Sequence, residues 1–330
     1  MTEYQNCGSE QSDHPQLSIL IPCYNGQVLL ERYLPLLLEE LSRLLIKTEV
    51  VIADDASTDN SASWLQSLDI KIPLKIMVNK RNLGFSGNAN AGMVGCQSDL
   101  VLLLNTDMEV LTGSIEPLLR CAASNDDLFA VVPQIELAAL RGRDFEFTRG
   151  RLYRGWISIL RDYPPLREPT GSKPEMVLYA CGGAMMVNRN KFLALGGFDS
   201  LYAPFYFEDV DLSYRAWKMG WRILRCPDST MTHHDSQTIG SFFSKNKIKG
   251  AQSRNQWLFM WRNLSDPKAI VEHVLWLPLR LLKSLLFSPI ELLGFVQALR
   301  RLPMVLERRS REKKHWQRGD REVMAQWERK

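Results

Sequence analysis

The chain has 330 residues, of which 45% are hydrophobic, and a formal net charge of +4 at pH 7. This length suits one large α/β domain with an appendage, and the apolar fraction is enough to bury a sizeable core. The charge is uneven, because residues 271–330 hold 13 Lys and Arg against 7 Asp and Glu. We expect this basic end to meet an anionic membrane surface rather than nucleic acid.

The first 16 residues are polar and lack the apolar stretch of a secretory signal. We interpret residues 1–16 as a disordered leader and expect a cytoplasmic protein. The six cysteines include no CxxC pair. They favour free thiols in a reducing compartment over a disulfide framework or a metal site.

Short apolar runs alternate with longer amphipathic patterns from Leu17 onward. The runs predict strands at 17–23, 49–54, 74–78, 100–104 and 129–133. The amphipathic patterns predict helices at 27–45, 60–68, 85–97, 113–123 and near 209–219. We therefore expect an α/β fold, with a mostly parallel Rossmann-like sheet and helices on both faces. Residues 134–178, which are rich in charged residues, Gly and Pro, predict a long excursion or flap.

Polar residues follow three of the predicted strands, and this set comprises Pro22, Tyr24, Asn25, Asp54, Asp55, Asn105, Thr106 and Asp107. In an open α/β sheet such strand ends border one ligand crevice. Neighbouring carboxylates repel one another unless a cation or hydrogen-bond donors compensate, and a divalent cation shared with a substrate diphosphate would do so. Asp also begins helices well. We assign that capping role to Asp59 and ligand binding to Asp54 and Asp107.

Two further stretches suit the same crevice. The glycine-rich turn at 81–92 opens a helix, and a helix N-terminus favours phosphate or sugar oxygens. The stretch 196–221 places Glu208 and Asp209 at the start of a helix, behind aromatic residues. Capping would explain one of these acids. A carboxylate held there also suits a general base acting on an acceptor hydroxyl, with the nearby rings stacked on the acceptor, and we select Tyr202, Phe205 and Tyr206.

Seven motifs occur in one order along residues 17–263, and they are SILIPCYN, VVIADDASTDNS, NKRNLGFSGNANAG, LVLLLNTDMEV, ACGGAMMVNR, GGFDSLYAPFYFEDVDLSYRAWKMGWRI and PDSTMTHH. Together they resemble family 2 glycosyltransferases of the GT-A fold, in particular the rhamnosyltransferase-like bacterial branch. The resemblance implies inverting transfer of a sugar from a nucleotide-diphosphate donor to an acceptor hydroxyl, with Mg²⁺ or Mn²⁺ as cofactor. It points to surface polysaccharide, O-antigen or lipid-linked glycan synthesis.

The resemblance also implies roles for single residues. Asp209 becomes the catalytic base with Glu208 beside it. Asp107, the last acid of a DxD-like motif that begins here with Asn105, becomes a metal ligand together with His233, which the residues alone favour only slightly over His234. Asp54 contacts the nucleotide base, with Tyr24 and Asn25 nearby. Asn82, Gly84 and Asn90 line the donor pocket, which we complete with Pro22, Asp55, Asn105 and Thr106.

Other functions stay open at this point. A nucleotidyltransferase could share the nucleotide-binding half, although no basic phosphate-binding signature follows the first strand. A nicotinamide-linked oxidoreductase would need a GxGxxG turn there, which is absent. A catalytically inactive, membrane-associated scaffold would have no need of Asp107, Glu208 and Asp209.

The segment 264–330 is predicted to be a helical, basic extension of a catalytic domain at 17–263. Residues 269–306 are Leu-rich, but Arg280, Lys283 and Glu291 interrupt them. No charge-free stretch approaches the ~20 residues of a membrane span. We interpret the segment as a helix pair in the membrane interface, followed by a basic tail up to residue 314, at the cytoplasmic face of the inner membrane. The alternative is an appendage packed on the catalytic domain or on a second subunit.

Overall fold

The fold is given by a computed structural model, which describes residues 14–137, 142–145, 147–167, 171–234 and 243–328. The strands are β1 (Leu17–Cys23), β2 (Thr48–Asp54), β3 (Leu74–Val78), β4 (Leu100–Leu104), β5 (Met108–Val110), β6 (Leu128–Leu137), β7 (Thr148–Tyr153), β8 (Trp156–Arg161), β9 (Glu175–Met176), β10 (Ala184–Asn188) and β11 (Arg222–His233). The helices are α1 (Gln27–Ser42), α2 (Ser61–Gln66), α3 (Gly84–Gly95), α4 (Ile115–Ala123), α5 (Arg189–Ala194), α6 (Glu208–Lys218), α7 (Lys245–Asn263), α8 (Pro267–Phe287), α9 (Pro289–Leu299), α10 (Leu302–Lys313) and α11 (Asp320–Glu328). Of the predicted leader, residues 1–13 lie outside the described residues.

One nine-stranded sheet runs through the molecule in the order β3-β2-β1-β4-β10-β6-β11-β5, with β9 paired to β11. β1, β2, β3, β4, β6 and β11 share one direction, whereas β5, β9 and β10 run against it. The prediction of a mostly parallel sheet is confirmed. Every residue of β2 is buried, as expected for a strand covered on both faces.

The predicted excursion at 134–178 is wrong for much of its described part. β6 continues to Leu137 beside β11, and β7 and β8 pair as an antiparallel hairpin. One of the charged residues that suggested a loop, Asp144, is buried and paired inside the fold. Arg225 of β11 forms ion pairs with Asp144 and, at 2.6 Å, with Glu175. Its partners come from elsewhere in the chain, so the local composition did not show that these charges are neutralised.

The C-terminal helices pack back onto α6. Lys218, the last residue of α6, is buried and forms a 2.5 Å ion pair with the buried Asp320 at the start of α11. The Asp320 carboxylate also accepts hydrogen bonds from the N–H groups of Ser265 and Asp266. The boundary predicted after residue 263 stays a prediction, and buried contacts cross it.

The predicted basic tail is bound within the fold at its first two arginines. Arg308 forms a 2.7 Å ion pair with Asp199, and Arg309 donates to the carbonyl oxygens of Trp261 and Arg262. These two charges are therefore not free, which corrects the prediction for them. Within the described ranges, no helix has both the length and the apolar character that crossing a membrane requires.

Candidate active site

The ends of β1 and β2 are joined by a hydrogen-bonded turn. The Asp54 carboxylate accepts hydrogen bonds from the Ser57 N–H at 3.0 Å and from the Ser57 hydroxyl at 2.5 Å. The Asn25 side-chain oxygen accepts one from the Thr58 N–H at 2.7 Å. Tyr24 projects an exposed ring beside them, and Pro22 lies one position before the end of β1. Contact of Asp54 with a nucleotide base stays a prediction.

Asp55 holds the start of α3. Its buried carboxylate accepts hydrogen bonds from the N–H groups of Leu83 and Gly84, both at 2.8 Å, and from the Asn79 amide at 2.9 Å. Asn82 caps the same turn through the Gly84 N–H at 3.0 Å. Gly84 has a φ of 71°, which favours glycine. The described role of Asp55 is to position this turn, and its direct contact with a donor stays a prediction.

Two asparagines of α3 connect the turn to the rest of the site. Asn90 both accepts from the Phe198 N–H and donates to the Phe198 carbonyl, at 2.9 and 2.8 Å. Asn88, which was not among the predicted residues, is buried and donates to the Ala53 carbonyl at 2.7 Å. A signal for Asn88 did exist. It lies four residues before the small residue Gly92 on the buried face of α3, where a polar side chain needs a partner.

The predicted metal ligands come together because β5 pairs with β11. His233 lies opposite Met108 in that ladder, which places its Nε2 3.2 Å from an Asp107 carboxylate oxygen. The other Asp107 oxygen and the His233 Nε2 are buried, and neither has a hydrogen-bond partner among the described residues. The neighbouring His234 is instead paired with Glu109 and stacks on Tyr33.

These two side chains fit a divalent cation that takes its remaining ligands from a substrate. In the described part of the chain, no three His, Cys, Asp or Glu side chains are grouped so that they could hold an ion by themselves. Mg²⁺ is usually bound through one or two carboxylates together with substrate phosphates. The buried Asp107 oxygen without a hydrogen bond and the His233 Nε2 beside the other Asp107 oxygen are consistent with such a shared ion.

The predicted base lies at the N-terminus of α6. One Asp209 oxygen accepts from the Gly182 N–H at 3.3 Å and the other from the Val210 N–H at 2.8 Å. Burial raises the pKa of Asp209 above its ordinary value. Burial, and then the charge of Asp209, raise the pKa of Glu208 to about 8. One Glu208 oxygen is buried without a hydrogen-bond partner among the described residues. The two carboxyls therefore disfavour being ionised together.

The turn at Cys181–Gly183 connects the base to the strand-end motif. While Gly182 donates to Asp209, the Gly183 carbonyl accepts from the Asn105 N–H at 2.8 Å. Thr106 lies against Gly26, where an added Cβ would be 3.3 Å from its methyl group. The motif around 181–183 belongs to the resemblance, but no role for it followed from the sequence. Its backbone contacts both Asn105, the first residue of the Asn105–Asp107 motif, and Asp209.

Arg161 is a second residue that the sequence did not indicate. It ends β8 and hydrogen-bonds the Tyr179 hydroxyl, and its positive charge opposes the rise in the pKa of Asp209. Because it lies in the segment predicted as an excursion, no pattern linked it to the base.

The predicted acceptor rings differ in their exposure. Tyr202 is fully buried, and its hydroxyl donates to Asp211 at 2.7 Å. A ring without exposed surface cannot stack on an acceptor, so this prediction is wrong for Tyr202. Phe205 is also buried and packs on the rings of Tyr206 and Phe243. Tyr206 remains half-buried, and its acceptor role stays a prediction.

Comparison with known proteins identifies the family of the chain. The sequence profile of glycosyl transferase family 2 matches residues 18–194, more than half of the chain, and the chain therefore belongs to this family. It is 27% identical to polypeptide N-acetylgalactosaminyltransferase 8 of Drosophila melanogaster over 233 residues, which cover 66% of this chain and 38% of the fly protein. It is 26% identical to the N-acetylglucosaminyl-diphospho-decaprenol L-rhamnosyltransferase of Mycobacterium tuberculosis over 252 residues, which cover 68% of this chain and 78% of the relative.

Solved structures show the same GT-A fold. GalNAc-T7 with UDP, GalNAc and Mn²⁺ superposes with a TM-score of 0.62 at 18% identity, over 79% of this chain and 50% of that one. S. aureus TarS 1–349 with UDP-GlcNAc superposes with a TM-score of 0.57 at 15% identity, over 94% and 91%. At these identities the structures establish the fold that the sequence predicted.

Proposed function

We propose that this protein is an inverting, metal-dependent glycosyltransferase, which moves a sugar from a nucleotide-diphosphate donor to a hydroxyl of a glycan or lipid-linked acceptor. One observation carries the proposal. The turn at 181–183 donates to Asp209 from Gly182 and accepts from Asn105 through the Gly183 carbonyl, and two residues after Asn105 the Asp107 carboxylate lies 3.2 Å from the His233 Nε2. Family membership and the UDP-bound fold relatives support it.

The donor binds at the ends of β1, β2 and β4. Tyr24, Asn25 and Asp54 receive the nucleotide base, with Pro22 beneath them, and Asn105 and Thr106 face the diphosphate side. The turn of Asn82 and Gly84, held by Asp55 and Asn90, supplies a helix N-terminus toward the sugar or phosphate oxygens. A bound Mg²⁺ or Mn²⁺ would neutralise charge on the departing diphosphate. Asp107 and His233 would hold it.

Asp209 accepts the proton of the acceptor hydroxyl while that oxygen attacks the anomeric carbon, and the bond to the diphosphate breaks on the opposite face. With its pKa raised to about 8, Glu208 keeps a proton at neutral pH. The two carboxyls resist being ionised together, and in this proposal Asp209 is the one that takes the acceptor proton. A raised pKa also makes Asp209 a better proton acceptor than an exposed aspartate.

For the acceptor we propose a surface polysaccharide, O-antigen or other lipid-linked glycan, reached from the cytoplasmic face of the inner membrane. The mycobacterial relative is named for a decaprenol-linked acceptor, which supports this class. Tyr206 and Arg161 lie on the acceptor side of the base, where a ring and a cation can contact a sugar and an anionic group.

The test is a panel of nucleotide sugars assayed for nucleoside diphosphate release with Mg²⁺ or Mn²⁺. We expect release with one donor class, reversible loss on chelation, and loss of at least about a hundredfold in Asp107→Ala. The exposed Asp69→Ala is the matched control and should retain activity. Full activity in excess EDTA would remove the metal from the mechanism. Release of pyrophosphate with a nucleoside triphosphate would favour a nucleotidyltransferase, and absence of any turnover would favour an inactive scaffold.

A further inference from the structure

One face of α8 is apolar and uncovered. Side chains spaced three or four residues apart along it are between 50% and 79% exposed, and they include Val274, Leu275, Leu279, Leu282, Leu286 and Phe287. Exposed apolar positions at this spacing share one side of a helix. α9, which contacts α8, adds Leu293, Val296 and Leu299 as exposed apolar side chains. Exposed apolar side chains in this number on two contacting helices mark an interaction site more often than a chance feature.

The opposite side of α8 is firmly held, so the apolar side chains are fixed in an outward orientation. The His273 Nδ1 lies 2.9 Å from the Gly155 carbonyl oxygen in the β7–β8 turn. Arg280 donates to the Arg154 carbonyl at 2.5 Å, and the Arg154 guanidinium stacks 3.7 Å above the Trp276 ring. α9 packs tightly on α7 at Gly294. A Cβ added to Gly294 would lie 2.7 Å from the Cβ of Ser253, which is too close for an unstrained contact. Neither helix needs to rearrange to expose this face.

The charges on these helices indicate what covers the face. Lys268, Lys283 and Arg300 are exposed and form no ion pair with any residue the structure describes. The acids are already engaged, because Glu272 accepts from the Gly155 N–H and Glu291 is paired with Lys249. An apolar face accompanied by free cations complements a surface of anionic lipid headgroups. A symmetric contact with a second copy would instead bring these cations together.

We propose that α8 and α9 dock the protein on the surface of an anionic lipid bilayer. The apolar side chains enter the interface, and Lys268, Lys283 and Arg300 lie among the lipid phosphates. The docking itself is independent of catalysis. That docking brings the active site to a lipid-linked acceptor rests on the proposed function.

The experiment is co-sedimentation of the full-length chain with vesicles of phosphatidylcholine, with and without phosphatidylglycerol. Binding is expected only with phosphatidylglycerol, and high salt should weaken it. Leu275→Glu/Leu286→Glu should bind at least about tenfold more weakly, because two charges enter the apolar contact. Leu45→Glu/Val94→Glu, which changes two exposed apolar residues elsewhere, is the matched control and should bind as wild type.

A second pair of variants tests the charge. Lys268→Glu/Lys283→Glu should lose binding to phosphatidylglycerol vesicles by about tenfold, because each cation near the surface contributes. The control Lys71→Glu/Lys173→Glu makes the same charge change at exposed lysines outside α8 and α9. Its binding to phosphatidylglycerol vesicles should weaken far less. Equal losses in the two pairs would overturn the proposed orientation.

One outcome would assign the apolar face to a protein partner, and another would separate the membrane docking from the proposed function. A wild-type dimer in sedimentation velocity, dissociated by Leu275→Glu/Leu286→Glu and without vesicle binding, would make the face a protein interface and overturn the docking. Donor hydrolysis without vesicles should be the same in wild type and in both pairs of α8 variants. If vesicles bind as expected but no protein hydrolyses any donor, the proposed function fails and the docking stands.

Discussion

The acids after β2 and the acids at the start of α6 carry the same functional group in different surroundings. Asp54 accepts two hydrogen bonds from Ser57, in the turn after β2, and Asp55 accepts three from the residues that follow β3. Glu208 has a buried oxygen without a described partner, and the pKa values of Glu208 and Asp209 are both raised. The protein itself satisfies the first pair. In the second pair Asp209 also accepts two hydrogen bonds, but burial still disfavours its charge and that of Glu208, which is the arrangement expected at a reaction centre.

The strongest test of this contrast is Asp209→Asn. Without the base, kcat should fall at least about a hundredfold. The unfolding temperature should change little, because a carboxylate with a raised pKa gives the fold no charge stabilisation to lose. The measurement combines steady-state nucleoside diphosphate release with thermal melting, using Asp69→Asn as control. Turnover close to wild type would show that Asp209 is not the base.

Asp55→Asn should show the opposite behaviour. An amide has one acceptor oxygen in place of two charged ones, so the turn at Leu83–Gly84 loses hydrogen bonds. The free energy of unfolding should fall by about 1.5–3 kcal/mol, the range for hydrogen bonds to charged groups. Urea denaturation measures it, and kcat at saturating donor should fall much less than in Asp209→Asn. An unchanged unfolding free energy with a large loss of kcat would place Asp55 among the reacting groups.

Glu208→Gln tests the raised pKa of Glu208 through the pH dependence of the free energy of unfolding. Because the folded-state pKa is raised from 4.5 to about 8, the folded chain keeps a proton that the unfolded chain has lost. The free energy of unfolding therefore falls as pH rises through this window. Glu208→Gln removes the effect, so it should be more stable than wild type near pH 9 and equal to it near pH 4. Thermal melts of both proteins at pH 4 and pH 9 measure this difference. An equal difference in unfolding temperature at the two pH values would contradict the raised pKa of Glu208.

The sequence was a good guide where a local pattern reports burial. β1 and β4 have the predicted bounds, because continuous apolar runs are what a strand covered on both faces requires. The bounds of β3 also agree, although this edge strand is only partly buried. The strand-end acids were found for the same reason, since the end of a run shows where polar groups emerge into the crevice.

Contacts between residues far apart in the chain could not be predicted from local sequence patterns. The burial of Tyr202 depends on Asp211, which also accepts from Asn263 at 2.8 Å and pairs with Arg215. The function of the 181–183 turn depends on backbone groups, which any sequence supplies. Nothing near Arg308 and Arg309 in the sequence shows that Arg308 pairs with Asp199 or that Arg309 donates to a carbonyl oxygen of α7.

The buried pair of Lys218 and Asp320 sets a limit on how the chain can be shortened. Removal of one partner of such a pair leaves an uncompensated charge in the interior and costs about 3–5 kcal/mol. A truncated protein that stops after Lys268 would lose Asp320 and also Trp327, whose ring packs edge-on against Trp217. A fragment designed for crystallisation, or a reporter fused for imaging, should therefore keep the chain intact through α11. Loss of activity in a shorter fragment would report a loosened α6 before it reported anything about membranes.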